Sequence, residues 1–155
     1  MTIKQVMETL DAELLTPEAD LTREVHAACG SDMMSDVLAY VKDQAVLVTG
    51  LNNPQVVRTA DMMDMICIVF VRGKKPDGAI LQLAVDRGIA VLATKLPMFA
   101  ACGLLYEKGC AGGWRDGRDP PALYRARGRF HPCGGGQRRF EGTAEEAGDP
   151  CGRCA

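Results

Sequence analysis

Three short apolar runs, AVLVTG (45–50), CIVFVRG (67–73) and IAVLATK (89–95), are each followed by a stretch of helical periodicity. A short run that is apolar throughout has no polar face, so it suits a strand covered on both sides. A strand that alternates with two-faced helices cannot pair with its neighbour through a tight hairpin. The chain must cross over, and crossovers of this kind are right-handed and give parallel strands. The pattern therefore predicts an α/β fold: a three-layer α/β/α sandwich with a mostly parallel sheet, followed by an irregular tail.

The helices are read from their caps and apolar faces. Thr2 caps TIKQVMETL (2–10), with Ile3, Val6, Met7 and Leu10 on one face. ELLT (13–16) is a short extended piece that ends at Pro17, and LTREVHAACG (21–30) is a strand that turns at Gly30. Ser31 is expected to cap SDMMSDVLAYVKD (31–43), with Asp32 in its first turn complementing the helix dipole. Its apolar face is Met33, Met34, Val37, Leu38 and Val41. Asn52, Asn53 and Pro54 start PQVVRTADMMDM (54–65), and Pro76 and Asp77 start DGAILQLAVDRG (77–88). Pro97 leads into MFAACGLLYEKG (98–109).

The text changes character after about Leu105. Most of the 17 glycines fall in the last third, among Arg, Pro and Cys in no periodic order. Such a stretch buries too little apolar surface to offset the entropy of ordering. One domain and a tail are expected on this ground: 1–108 as the α/β domain, and 109–155 as a tail that is disordered or derived from an out-of-frame reading. Read one nucleotide out of frame with allowed codons, 129–151 can become DFTRAGEASADLKGLLRKLGTPA, which has an amphipathic helix and resembles the opening of anti-sigma-factor ATPases. The tail also holds His131, Cys133, Cys151 and Cys154. With only one CxxC step, that set falls short of the paired knuckles of structural zinc, and no metal is assigned.

Charge and motifs narrow the function. There are 18 basic and 20 acidic residues, so no basic excess marks a nucleic-acid or membrane-surface binder. No apolar run reaches the roughly 20 residues that span a bilayer. The polar start, MTIKQVMETLDAE, lacks a secretory core, so a cytoplasmic location is expected. Cys29, Cys67 and Cys102 then read as reduced thiols used as small hydrophobes. No GxxxxGK[ST], dinucleotide fingerprint or GxSxG elbow is present, and no catalytic residue or cofactor is assigned. His26 and Cys29 read as a structural or surface residue and a core thiol rather than a nucleophile pair, and Asp32 and Asp36 as a helix-start charge and an exposed neighbour.

In sheets of this class, ligands bind beyond the carboxyl ends of the strands. Here those loops are CGSD (29–32), TGLNNP (49–54), RGKKP (72–76) and TKLP (94–97). Arg72, Lys74, Lys75 and Lys95 bring positive charge to that edge, which suits a phosphate-bearing or otherwise anionic small ligand such as a nucleotide. The expected contacts are Ser31, Asp32, Asn52, Asn53, Arg72 and Lys95. The methionines Met33, Met34, Met62, Met63 and Met65 offer an alternative use, a face for self-association.

The stretches GSDMMSDVLA (30–39), TGLNNPQVV (49–57), IVFVRGKKPD (68–77) and GIAVLATK (88–95) together resemble the DRTGG domain, itself similar to the N-terminal domain of HPr kinase/phosphorylase. The resemblance runs roughly from Thr2 to Gly109. It implies a three-layer α/β fold and a regulatory, non-catalytic role in signalling. Family members occur alone or fused to CBS domains, pyrophosphatases and phosphate acetyltransferases. Stand-alone members are often encoded beside iron-only hydrogenase subunits and anti-sigma-like ATPases of anaerobes, which makes such proteins candidate partners. The sequence thus supports a ligand-sensing or partner-binding domain; the alternatives are a homo-oligomeric structural adaptor and a kinase-associated accessory enzyme.

Overall fold

The computed structural model describes residues 1–41 and 44–112. The tail readings, including His131, Cys133, Cys151 and Cys154, lie outside the described residues. So do Lys42 and Asp43.

Among the described residues, six strands form one sheet: β1 (Glu13–Leu14), β2 (Ala27–Gly30), β3 (Ala45–Thr49), β4 (Cys67–Phe70), β5 (Ala90–Ala93) and β6 (Ala111–Gly112). Their order across the sheet is β1-β5-β4-β3-β2-β6. All pairings are parallel except β1 with β5, where Glu13 faces Ala93 and Leu14 faces Leu92. The sheet thus takes in Ala111–Gly112, beyond the expected domain limit at 108. Every residue of β3, β4 and β5 is buried, as their uninterrupted apolar text requires.

Among the described residues the helices are α1 (Ile3–Thr9), α2 (Met34–Tyr40), α3 (Pro54–Met62), α4 (Gly78–Asp86) and α5 (Met98–Glu107). From β2 to β5 each crossover steps to the next strand in the same direction, so right-handedness puts α2, α3 and α4 on one face. The core beneath them joins Met34 and Val37, Val56 and Ala60, and Ile80 and Ala84 to Leu47, Ile68 and Phe70. The step from β5 to β6 runs back across the sheet, so α5 covers the other face. There Ala101 and Leu105 pack with Ile3, Val6 and Leu10 of α1 on Val46, Val48 and Val69. Odd and even residues of β3 feed the two cores in turn, which makes the three-layer sandwich.

The helix starts follow the expected chemistry with one exception. Thr2 and Gln5 form a reciprocal capping box on α1, Asn53 caps α3 ahead of Pro54, and Asp77 caps α4. Ser31 does not cap α2. That helix begins three residues later, and its N-cap, Met33, makes no side-chain bond. The Ser31 hydroxyl instead closes its own turn, with the Met33 N–H 3.0 Å from Oγ. Asp32 therefore stands outside the first turn, where Asp36 supplies the acidic charge. Met33, expected on the apolar face, is 62% exposed, while Met34 is buried. Among the described residues, no helix is long and apolar enough to cross a membrane.

Candidate functional site

The carboxyl ends of the parallel strands share one pole of the sheet. The loops after β2, β3 and β4 all lead to the same face, and three of their polar residues meet on one carboxylate. Asp32 Oδ1 accepts from Thr49 Oγ1 at 2.9 Å and from the Gly50 N–H at 2.6 Å. Its Oδ2 lies 3.0 Å from an Arg72 Nη2 that donates to it. Thr49 is fully buried and holds its loop in turn, accepting the Leu51 N–H at 3.1 Å. Partial burial pushes the Asp32 carboxyl up. The Gly50 N–H, the Thr49 hydroxyl and the Arg72 charge outweigh that and hold it below the usual carboxylate value.

Arg72 is positioned by its backbone. It adopts φ 64, a left-handed conformation that costs a non-glycine residue about 1 kcal/mol. The Arg72 N–H donates to Leu96 O and the Gly73 N–H to Thr94 O, both at 2.9 Å, which fixes the turn. The guanidinium then lies over Gly50 so closely that a Cβ there would stand 1.6 Å from Nη2. Only glycine permits that approach. Lys74 completes the cluster, with its Nζ 2.6 Å from Gly50 O.

The other expected contacts separate into distinct roles. Asn52 clips two loops together through Nδ2 to Lys75 O at 3.2 Å, and Asn53 is spent on capping α3. Lys75 is paired with Glu13 of β1. Lys95 is exposed and makes no hydrogen bond or ion pair among the described residues. The structure thus joins Asp32 and Arg72 directly, sets Ser31 and Asn52 at the border, and leaves Asn53 and Lys95 outside. Thr49 and Gly50 belong to the cluster although neither is among the expected contacts.

The loops after β4 and β5 lead to opposite faces of the sheet, and between two such strands open parallel sheets usually keep a ligand crevice. Here the two backbone bonds from Arg72 and Gly73 to the β5 loop zip that gap, and the polar cluster sits at the ends of β2, β3 and β4 instead. A cavity of about 280 Å³ lies at the opposite pole, among Ile3, Ile66 and Ala90. Of the polar residues around it, Arg23 donates to Gly88 O at 3.1 Å and Asp20 accepts from Thr22.

Among the described residues, no three His, Cys, Asp or Glu side chains gather as a metal site. His26 is exposed, 3.8 Å from Glu24. Burial, then the neighbouring Cys102 and Asp36, push the Cys29 thiol up to about 11, which removes its nucleophilic form at neutral pH. The two exposed methionines, Met33 and Met62, stand at opposite poles, one before α2 and one at the end of α3.

The family model described as "DRTGG domain" matches residues 5–107. The chain belongs to the DRTGG domain family. Among solved structures, this DRTGG domain is similar to the CBS and DRTGG domains of the regulatory region of Clostridium perfringens pyrophosphatase, complexed with the activator diadenosine tetraphosphate. The TM-score is 0.58 at 18% identity, over 67% of this chain and 45% of that one. The chain thus spans under half of that neighbour's length. Comparison with curated proteins finds no match.

Proposed function

We propose that this DRTGG domain is a regulatory module that senses a small anionic ligand, a nucleotide in the first instance, and performs no chemistry of its own. The observation that carries the reading is the convergence of Thr49, Gly50 and Arg72, with Lys74 beside them, on one anion at the carboxyl pole. Donors from separate loops aimed at one point suit recognition of negative charge. The similar pyrophosphatase region is regulatory and holds a nucleotide activator, which supports the same class of ligand here. The domain is read as cytoplasmic, and its output as contact with a partner protein. Anti-sigma-like ATPases and hydrogenase-related proteins are the first partners to test.

The experiment is a thermal-stability screen of the full chain against adenine and guanine mono-, di- and triphosphates and diadenosine tetraphosphate. A ligand at 100 times its Kd stabilises the folded state by about 2.7 kcal/mol. The reading expects at least one nucleotide to raise Tm by several degrees, and expects Arg72→Ala to abolish the rise. If no nucleotide moves Tm and the chain elutes as a dimer, the structural adaptor takes its place.

A further inference from the structure

We propose that Asp32 is an internal anion in the ligand's place: the cradle of Thr49, Gly50, Arg72 and Lys74 receives a phosphate group, and the Asp32 carboxylate must swing out for it to enter. This rests on the ligand-sensing reading above and names how that site is regulated.

Three observations carry it. First, Asp32 serves no local purpose. It does not cap α2, whose N-cap makes no side-chain bond, and Asp36 provides the first-turn charge. Every side-chain bond it makes crosses to the β3 or β4 loop. Second, the charges are unequal. Arg72 and Lys74 bring two positive charges against one carboxylate. Lys74 rests on a carbonyl oxygen and has no carboxylate partner among the described residues. Lys75 is excluded from the count because Glu13 pairs with it. A phosphate monoester, with its charge of roughly −1.5 to −2 at neutral pH, fits two cations better than one carboxylate does. Third, release is feasible. The Asp32 and Arg72 side chains are 45% and 49% exposed, so the carboxylate can turn to solvent while the core beneath stays closed.

The donors match the incoming group as well. A hydroxyl, a backbone N–H beside a missing Cβ, and a guanidinium already recognise an oxyanion with short bonds. Exchanging Asp32 for phosphate changes none of their partners' chemistry. The occupied state differs from the empty one in the position of the Asp32 side chain.

The test is calorimetric titration of the full chain with inorganic pyrophosphate at low salt. Native protein is compared with Asp32→Asn, which keeps shape and removes charge, with Asp32→Ala, and with Asp32→Asn/Arg72→Ala. The expected result is at least tenfold tighter binding by both single variants and loss of binding in the double variant. Native binding with single variants no tighter than native overturns the internal anion and leaves the sensor standing. Pyrophosphate binding by none of the proteins overturns it too, and the nucleotide screen then decides the sensor separately.

Discussion

The carboxylate of Asp32 and the guanidinium of Arg72 are 40 residues apart in the chain and 3.0 Å apart in space. They lock the loop after β2 to the loop after β4 across the end of β3. Both side chains are about half exposed, so solvent screens the pair and its own contribution is small. The pair matters more for where it holds the loops than for how strongly it holds the fold.

Loss of the Asp32 charge should accordingly cost little and should depend on pH. Asp32→Asn is expected to lower stability by about 0.5–1 kcal/mol at pH 7. The folded-state pKa of Asp32 is depressed, so its stabilisation is complete above the unfolded value of about 3.9 and is lost as pH falls through the lower, folded value. Denaturant melts of native and variant from pH 7 to pH 2 should converge at the acid end. A gap that stays constant to pH 2 would show that the charge is not what stabilises.

The buried hydroxyl of Thr59 gives a prediction of opposite sign. Thr59 lies inside α3, fully buried, and its Oγ1 has no hydrogen-bond partner among the described residues. A buried polar group left unpaired costs about 1–3 kcal/mol. Thr59→Val replaces it with a methyl of similar size and nearly equal helix propensity. Stability should rise by about 1 kcal/mol and Tm by about 4 °C, read by thermal denaturation. A fall in Tm would mean that the hydroxyl is paired after all.

Cysteine chemistry checks the burial around β2. With its pKa near 11 against an ordinary 9.0, the Cys29 thiol carries about a hundredfold less thiolate at pH 8. Alkylation followed by peptide mapping should therefore find Cys29 labelled at least tenfold more slowly in the folded chain than in denaturant. Cys67, fully buried in β4, should be slower still. Equal rates for Cys29 in the two states would contradict its placement.

Much of the fold was legible because the strands announce themselves. β3, β4 and β5 are buried on both faces, and a strand with no wet side has no room for polar residues. Thr2, Asn53 and Asp77 were legible as caps because a cap is a bond within a few residues. Ser31 looked the same in sequence, yet α2 starts at Met34 because Asp32 is drawn away to Gly50 and Arg72, a tertiary demand with no local signature. Met33 follows from the same shift: moved off the helix, it loses the core face that periodicity would give it. The site was legible by loop but not by residue. Arg72 stood out as a charge, whereas Thr49 and Gly50 act through a hydroxyl turned inward and through a missing Cβ. Asn53 carried a polar amide at the right edge and was consumed by its helix.

Gly50 allows the sharpest check on the cluster. A Cβ at this position would meet Nη2, Cζ and Nε of Arg72 at 1.6, 2.4 and 2.7 Å, and no other heavy atom is nearer. The backbone of Gly50 is not left-handed, so alanine brings no conformational penalty of that kind. Whatever Gly50→Ala costs must therefore come from evicting the guanidinium. Eviction breaks the Asp32 bond, while the Arg72 N–H keeps Leu96 O and the turn itself stays fixed. A loss of about 0.5–1 kcal/mol is expected, together with loss of nucleotide response. With Arg72→Ala already in place, the guanidinium is gone and the new methyl has nothing to displace. The cost of Gly50→Ala in that background should drop to under half, a coupling measurable by a double-mutant cycle in urea. Equal costs in both backgrounds would show that the two residues do not meet.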